Sequence, residues 1–157
     1  MKYALLTGEF EVSLDDRNRM LIPVDIRQSI EPDRDGKAFY VTIGQNRKPW
    51  LYLQNHFESL VEQDTPVLLP ATTSLEFDQL HFSSTHLVPW DKLGRLLLPD
   101  KLLKRTGTER IATLIGARDH LEVWNRADWN ARARDLEERR GEIALQARID
   151  RQAKPVV

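Results

Sequence analysis

The stretch Asp15-Asp16-Arg17-Asn18-Arg19-Met20-Leu21-Ile22-Pro23 returns 76 residues later as Asp91-Lys92-Leu93-Gly94-Arg95-Leu96-Leu97-Leu98-Pro99. Asp, Arg and Pro keep identical places, and the residues between Arg and Pro are apolar in both copies. The flanks agree as well. Phe10, Val12 and Leu14 alternate with Glu9, Glu11 and Ser13, the period of a half-buried strand, and Val88 and Trp90 fall at the positions equivalent to Val12 and Leu14. After each Pro a short helix is expected, over 24–30 and 100–105, the second closed by Gly107. A length of 157 residues fits one compact domain or two small ones, and with this repeat it reads as one domain made of two copies.

A second strand pair follows in each half, 39–43 with 51–53 and 111–115 with 121–124, joined by polar turns that begin at Gly44 and Gly116. Both halves then place aromatics five residues apart, Tyr52 with Phe57 and Trp124 with Trp129. The expected division is a first repeat over 1–69, a linker helix over 70–83, a second repeat over 84–130, and a charged C-terminal helix and tail over 131–157. Residues 66–70 read as linker, and Thr73-Ser74-Leu75-Glu76 has capping-box spacing for a helix running to about His81. In the tail, Trp129, Ala133, Leu136, Ile143 and Ala147 draw a narrow apolar stripe along a strongly solvated helix, expected to pack one edge on its own domain or on a neighbouring subunit. The class is therefore α+β, mainly β.

Composition narrows the chemistry. There is no cysteine, which excludes a disulfide framework, a thiolate zinc site and a cysteine nucleophile and suits a reducing compartment. The four histidines, His56, His81, His86 and His120, lack metal-ligand spacing and read as lone surface residues. No nucleophile elbow and no phosphate-cradling glycine loop occurs, so neither an enzyme nor a cofactor is expected. No stretch approaches the ~20 apolar residues of a membrane span, and the chain reads as cytoplasmic. The formal net charge of -1 argues against a general polycation, so nucleic-acid binding would need local basic clusters.

The repeated hairpin supplies such clusters. Four polar or flexible positions, Asp-x-x-Asn/Gly, link two short apolar strands, and the fourth must take positive φ, free for Gly94 and tolerated by Asn18. Asp at the head of the turn can accept following backbone amides and hold the Arg four residues on. One isolated copy reads as a turn-stabilising ion pair. Recurrence in two halves whose other side chains have drifted, with Arg17 beside Arg19 and Lys92 near Arg95, favours a hairpin that carries guanidinium groups to DNA. The first turn sums to zero charge and the second to +1, so useful affinity requires several hairpins arrayed in an oligomer. Trp50, Trp90, Trp124 and Trp129 read as core or subunit packing rather than a stacking platform.

Gly8-Glu9-Phe10, Leu14-Asp15-x-Arg17-x-Arg19, Ile22-Pro23, Arg27, Phe82-Ser83, Asp91-x-x-Gly94-Arg95-Leu96-x-Leu98-Pro99, Gly107, Leu114-Ile115-Gly116 and Leu121-Glu122-Val123-Trp124-x-x-x-x-Trp129 together resemble the MraZ family of transcriptional regulators, which carry two tandem AbrB-type DNA-binding units. The likeness runs in order over nearly all of residues 5–130. It implies a pseudo-twofold swapped-hairpin β-barrel with short helices, a ring-shaped homo-oligomer, and a nucleoid-associated, autoregulatory protein. Its implied target is short direct repeats of double-stranded DNA upstream of a division and cell-wall gene cluster. Carried over by position, Asp15, Asn18, Asp91 and Gly94 order the turns and Arg17, Arg19, Lys92 and Arg95 contact DNA. Asn18 replaces the family's usual glycine, Leu93 is apolar at a commonly polar tip, Pro89 forces an edge or bulge, Trp90 replaces an aliphatic residue, and Val12 replaces a polar one. The rival reading keeps the fold and drops the DNA: a ring-forming scaffold, or an antitoxin-like relative that captures a protein.

Overall fold

The computed structural model describes residues 1–64 and 66–153. Residues 1–125 form one compact unit and the chain from Arg126 onward a second, helical one. In the first unit each half repeats one order of elements. The first half has β1 (Glu9–Ser13), β2 (Arg19–Leu21), α1 (Val24–Ser29), a short α2 (Pro32–Asp35), the hairpin β3 (Ala38–Ile43) and β4 (Pro49–Leu53), and α3 (Gln54–Glu62). After the linker helix α4 (Thr72–Ser83) come β5 (His86–Pro89), β6 (Arg95–Leu97), α5 (Asp100–Thr106), and the hairpin β7 (Ile111–Gly116) and β8 (Leu121–Asn125).

The halves are interleaved. A six-stranded antiparallel sheet runs β1-β7-β8-β4-β3-β5, so each half lends its leading strand to the other half's hairpin. β2 and β6 pair with each other as a separate two-stranded ribbon, and Met20 of β2 is also bridged to Leu14. Among the described residues no closed barrel forms; β1 and β5 remain the outer strands, because β2 and β6 are taken up by the ribbon. Pro89 sits in β5, an outer strand, where its missing N–H removes no inner ladder bond.

Alternation makes this arrangement bury a single core. In β4, Leu51 and Leu53 point inward, and Phe39 and Val41 of β3 join Leu114, Leu121 and Val123 from the other half. Met20, Ile22, Leu96 and Leu98 seal the core from the ribbon side. Pro23 and Pro99 end the ribbon strands, since proline has no amide to donate, and their carbonyls accept the first helical amides, from Arg27 and Leu103. Gly107 closes α5 at φ 67°, as the sequence indicates.

Three expectations need correction. α4 begins at Thr72 with Ala71 as its cap residue and no side-chain cap, so Thr73 and Glu76 form no capping box; the Leu75 amide donating to the Ala71 carbonyl draws the first turn upstream. The C-terminal helix starts at Arg126 and is broken at Arg139, giving α6 (Arg126–Glu138) and α7 (Arg140–Gln152). Trp129, Ala133, Leu136, Ile143 and Ala147 are each partly buried, and the other residues from 127 to 152 are exposed, as the stripe predicts. Residues 154–157 of that tail lie outside the described residues. Finally, His120 is buried, 7% exposed, and does not lie on the surface.

His120 ties the two hairpins together at the short β4–β8 seam, where only Trp50 with Glu122 and Leu51 with Leu121 are in register. Its ring stacks on Trp50 at 3.8 Å, close to parallel. Nδ1 lies 2.7 Å from Asp119 and Nε2 2.8 Å from Glu122. Glu122 also accepts hydrogen bonds from Asn46 and Trp124, both at 2.9 Å, and Asn46 in turn accepts from the Trp50 indole at 2.8 Å. A side chain at Gly44 would collide with the Trp50 ring, which is why that turn begins with glycine. Burial pushes the imidazolium down, yet the bonds to Asp119 and Glu122 outweigh it and hold the His120 pKa up at about 8.

A raised folded pKa contributes stability that is complete below the unfolded value of 6.5 and lost as pH rises through about 8. That difference corresponds to ~2 kcal/mol. Thermal melts of the parent are expected to fall between pH 6 and pH 9 by more than those of His120→Gln; equal pH slopes in the two proteins would contradict the charged bridge.

Candidate nucleic-acid interface

The ribbon brings both hairpins to one place. Met20 of β2 lies opposite Leu96 of β6, its mate in the repeat, so the pairing is self-complementary about that point. Two further bonds obey the same relation: the Ile22 amide donates to the Gly94 carbonyl and the Leu98 amide to the Asn18 carbonyl, both at 2.9 Å. Each turn is thus held by the strand of the opposite half.

Within the turns the two copies match atom for atom. Asp15 Oδ1 accepts the amides of Arg17 and Arg19, each at 2.9 Å, and Oδ2 accepts Arg19 Nε at 2.7 Å. Asp91 Oδ1 accepts the amides of Leu93 and Arg95, each at 2.9 Å, and Oδ2 accepts Arg95 Nε at 2.8 Å. The backbone amides of Arg19 and Arg95, foremost among these bonds, hold both carboxyls below the usual aspartate value. Asn18 and Gly94 take positive φ, 62° and 81°. Each ion pair engages Nε, the nitrogen nearest the chain, and among the described residues no hydrogen bond occupies the outer nitrogens of either guanidinium. Arg19 and Arg95 keep 28% and 32% of their side-chain surface exposed, while Arg17, Lys92 and Leu93 lie open at the tips.

Sequence reasoning left Arg27 out of the site. Its Nε donates to the Ile22 carbonyl at 2.9 Å, and its guanidinium lies against the opposite turn, so that a Cβ on Gly94 would stand 2.8 Å from Arg27 Cδ, Nε and Cζ. The repeat mate of Arg27 is Leu103, which is buried and faces no such task. The turn at Asn18 therefore tolerates a side chain, and Asn18 Nδ2 reaches Asp100 Oδ1 at 3.4 Å. The difference between Asn18 and Gly94 is thus matched to the difference between Leu103 and Arg27; the paired exchange was the available signal.

Gly94→Asn forces Arg27 off the Ile22 carbonyl and is expected to cost ~1–2 kcal/mol in urea unfolding, although Asn is otherwise acceptable at positive φ. In an Arg27→Leu background the same change should cost much less; additive effects would contradict the contact.

Among the described residues no helix is long and apolar enough to cross a membrane, and no group of three or more His, Cys, Asp and Glu side chains could hold a metal ion. The family model described as "MraZ protein, putative antitoxin-like" matches residues 5–78 and 81–152, one segment for each half. A protein of Clostridium botulinum named Transcriptional regulator MraZ is 30% identical over 126 residues, covering 80% of this chain and 85% of the relative. Its namesake in Dictyoglomus thermophilum is 32% identical over 130 residues, covering 80% and 82%. With both hairpin units matched in order and relatives aligned along most of their length, the chain belongs to the MraZ family.

Proposed function

We propose that this chain is a DNA-binding transcriptional regulator, not an enzyme, which reads short direct repeats of double-stranded DNA upstream of its own gene cluster. The observation that carries the reading is the pair of identically built turns on one ribbon, which set Arg19 and Arg95, with Arg17 and Lys92 beside them, around a common centre. A two-stranded ribbon fits the major groove of B-form DNA, and an arginine with free outer nitrogens can bridge guanine or a phosphate. The aspartates make this possible by taking Nε alone, so that the guanidinium is aimed before DNA arrives and loses little rotamer freedom on binding. The interleaved sheet and ribbon are read as the swapped-hairpin arrangement of tandem AbrB-type units.

Four basic side chains on one subunit give limited affinity at physiological salt, and arrayed copies would multiply it. A surface suited to self-assembly is present. The linker leaves Leu68 95% exposed, and α4 buries none of its residues, with Leu75, Phe77, Leu80 and Phe82 exposed. An apolar patch of this extent favours contact with further copies, as a ring requires. Leu93, exposed at its tip, is a second candidate for such a contact.

Binding of the DNA immediately upstream of the gene and of a scrambled duplex should be measured by fluorescence anisotropy across a salt series, for the parent, Arg19→Ala and Arg95→Ala. The expected result is salt-sensitive preference for the upstream DNA, with about tenfold or greater loss in each variant and the larger loss for Arg19→Ala. No preference in a parent that still assembles by light scattering would replace this reading with a ring-forming scaffold.

A further inference from the structure

A concave groove of about 640 Å³ lies at the root of the first hairpin and is lined by three arginines, Arg19, Arg95 and Arg110, with Asp15 and Ser13. Arg19 and Arg95 belong to the interface described above; Arg110 does not, and it comes from the other half, just before β7. There it is fixed to the hairpin by reciprocal contacts. The Leu14 amide donates to the Arg110 carbonyl at 2.8 Å, and Arg110 Nε donates to the Leu14 carbonyl at 3.3 Å. Ser13 and Ile111 in register carry the β1–β7 ladder up to this point.

The three guanidiniums share one design. Each is anchored through Nε, to Asp15, Asp91 or the Leu14 carbonyl, and each therefore has its outer nitrogens left for something else. Among the described residues no carboxylate forms an ion pair with Arg110, whereas the other two each have an aspartate. Of the three positive charges at the groove, two are paired, Arg19 with Asp15 and Arg95 with Asp91, so the excess positive charge is that of Arg110. A concave site with excess positive charge, planar donors and a width beyond a single small anion suits a phosphodiester. The mirrored position on the other side carries an ammonium instead: Ala38 pairs with Pro89 as Ile111 pairs with Ser13, so Lys37 stands where Arg110 does, and it is exposed.

We propose that Arg110 is a third DNA-contacting residue, which binds a backbone phosphate in this groove beside the step that Arg19 and Arg95 reach. The inference rests on the DNA-binding reading above. It assigns Arg110 to affinity and register and not to base recognition, because phosphate contacts position a protein without reading sequence.

The test uses the full-length parent, Arg110→Ala and Arg110→Lys, each checked by circular dichroism melting, with the upstream duplex and a scrambled duplex over a salt series. Arg110→Ala is expected to weaken binding to both duplexes by the same factor, about five- to thirtyfold at low salt, and to lower the slope of log affinity against log salt by about one. Arg110→Lys, which keeps the charge and loses the planar donor, should retain the parent's slope, an outcome that a purely structural role for the Leu14 contact would not give. Parent-like affinity and slope in a folded Arg110→Ala protein would overturn the inference while leaving the function standing, as would a loss confined to the upstream duplex. A parent that binds neither duplex would overturn both.

Discussion

Everything in the first unit depends on the point where Met20 meets Leu96. These repeat mates face each other across the ribbon with no exposed surface, and hydrogen bonds from Ile22 and Leu98 on either side bind each turn to the other half. Neither half can keep its turn in place alone, because the carbonyl of Gly94 is satisfied by the first half and that of Asn18 by the second. The same exchange is repeated at larger scale in the sheet, where β1 and β5 each complete the opposite hairpin. Removing either half would expose the core side chains of the other.

That constraint explains how a nearly neutral chain can present a concentrated charge. Folding sets four cations of two distant segments around one axis, and the aspartates at the turn heads spend their acceptor capacity on backbone amides and on Nε. The acids that bring the net charge to -1 therefore shape the turns without occupying the outer face of the guanidiniums. The polar knot around His120 performs the corresponding task at the middle of the sheet, where β8 and β4 share a short ladder and the bonds among Asp119, His120, Glu122, Asn46 and Trp50 carry the seam.

Much of this was legible in the sequence, for physical reasons that differ by element. The turn residues declare their geometry locally: Asp15 and Asp91 at the head, positive φ at Asn18 and Gly94, and Pro at each strand end. Alternation in Glu9–Ser13 predicts one half-buried face, and Phe10 and Val12 are indeed partly buried against the core, but alternation cannot say whose hairpin covers them; only the family resemblance, with its swapped hairpins, points to the exchange between halves. Arg27, although among the residues that carry the resemblance, and Arg110 receive no site role from the sequence, because their partners are backbone carbonyls and a glycine, which leave no complementary side chain to notice. His120 was misplaced on the surface although acids flank it at 119 and 122; the missing piece was Trp50, far away in sequence, which supplies the cover. Thr73 and Glu76 have capping spacing, yet α4 starts upstream of it because the Leu75 amide bonds to the Ala71 carbonyl.

The central claim is that the two halves hold each other's turns and open only together. Amide hydrogen exchange of Ile22 and Leu98, read by NMR in the free protein, tests it most directly. Both amides are expected to exchange as slowly as those of the core strand residues Val41 and Leu114 and to respond identically to denaturant, as groups released only by global unfolding. Exchange of either amide orders of magnitude faster than the core would show that the hairpins open independently, and would contradict the account.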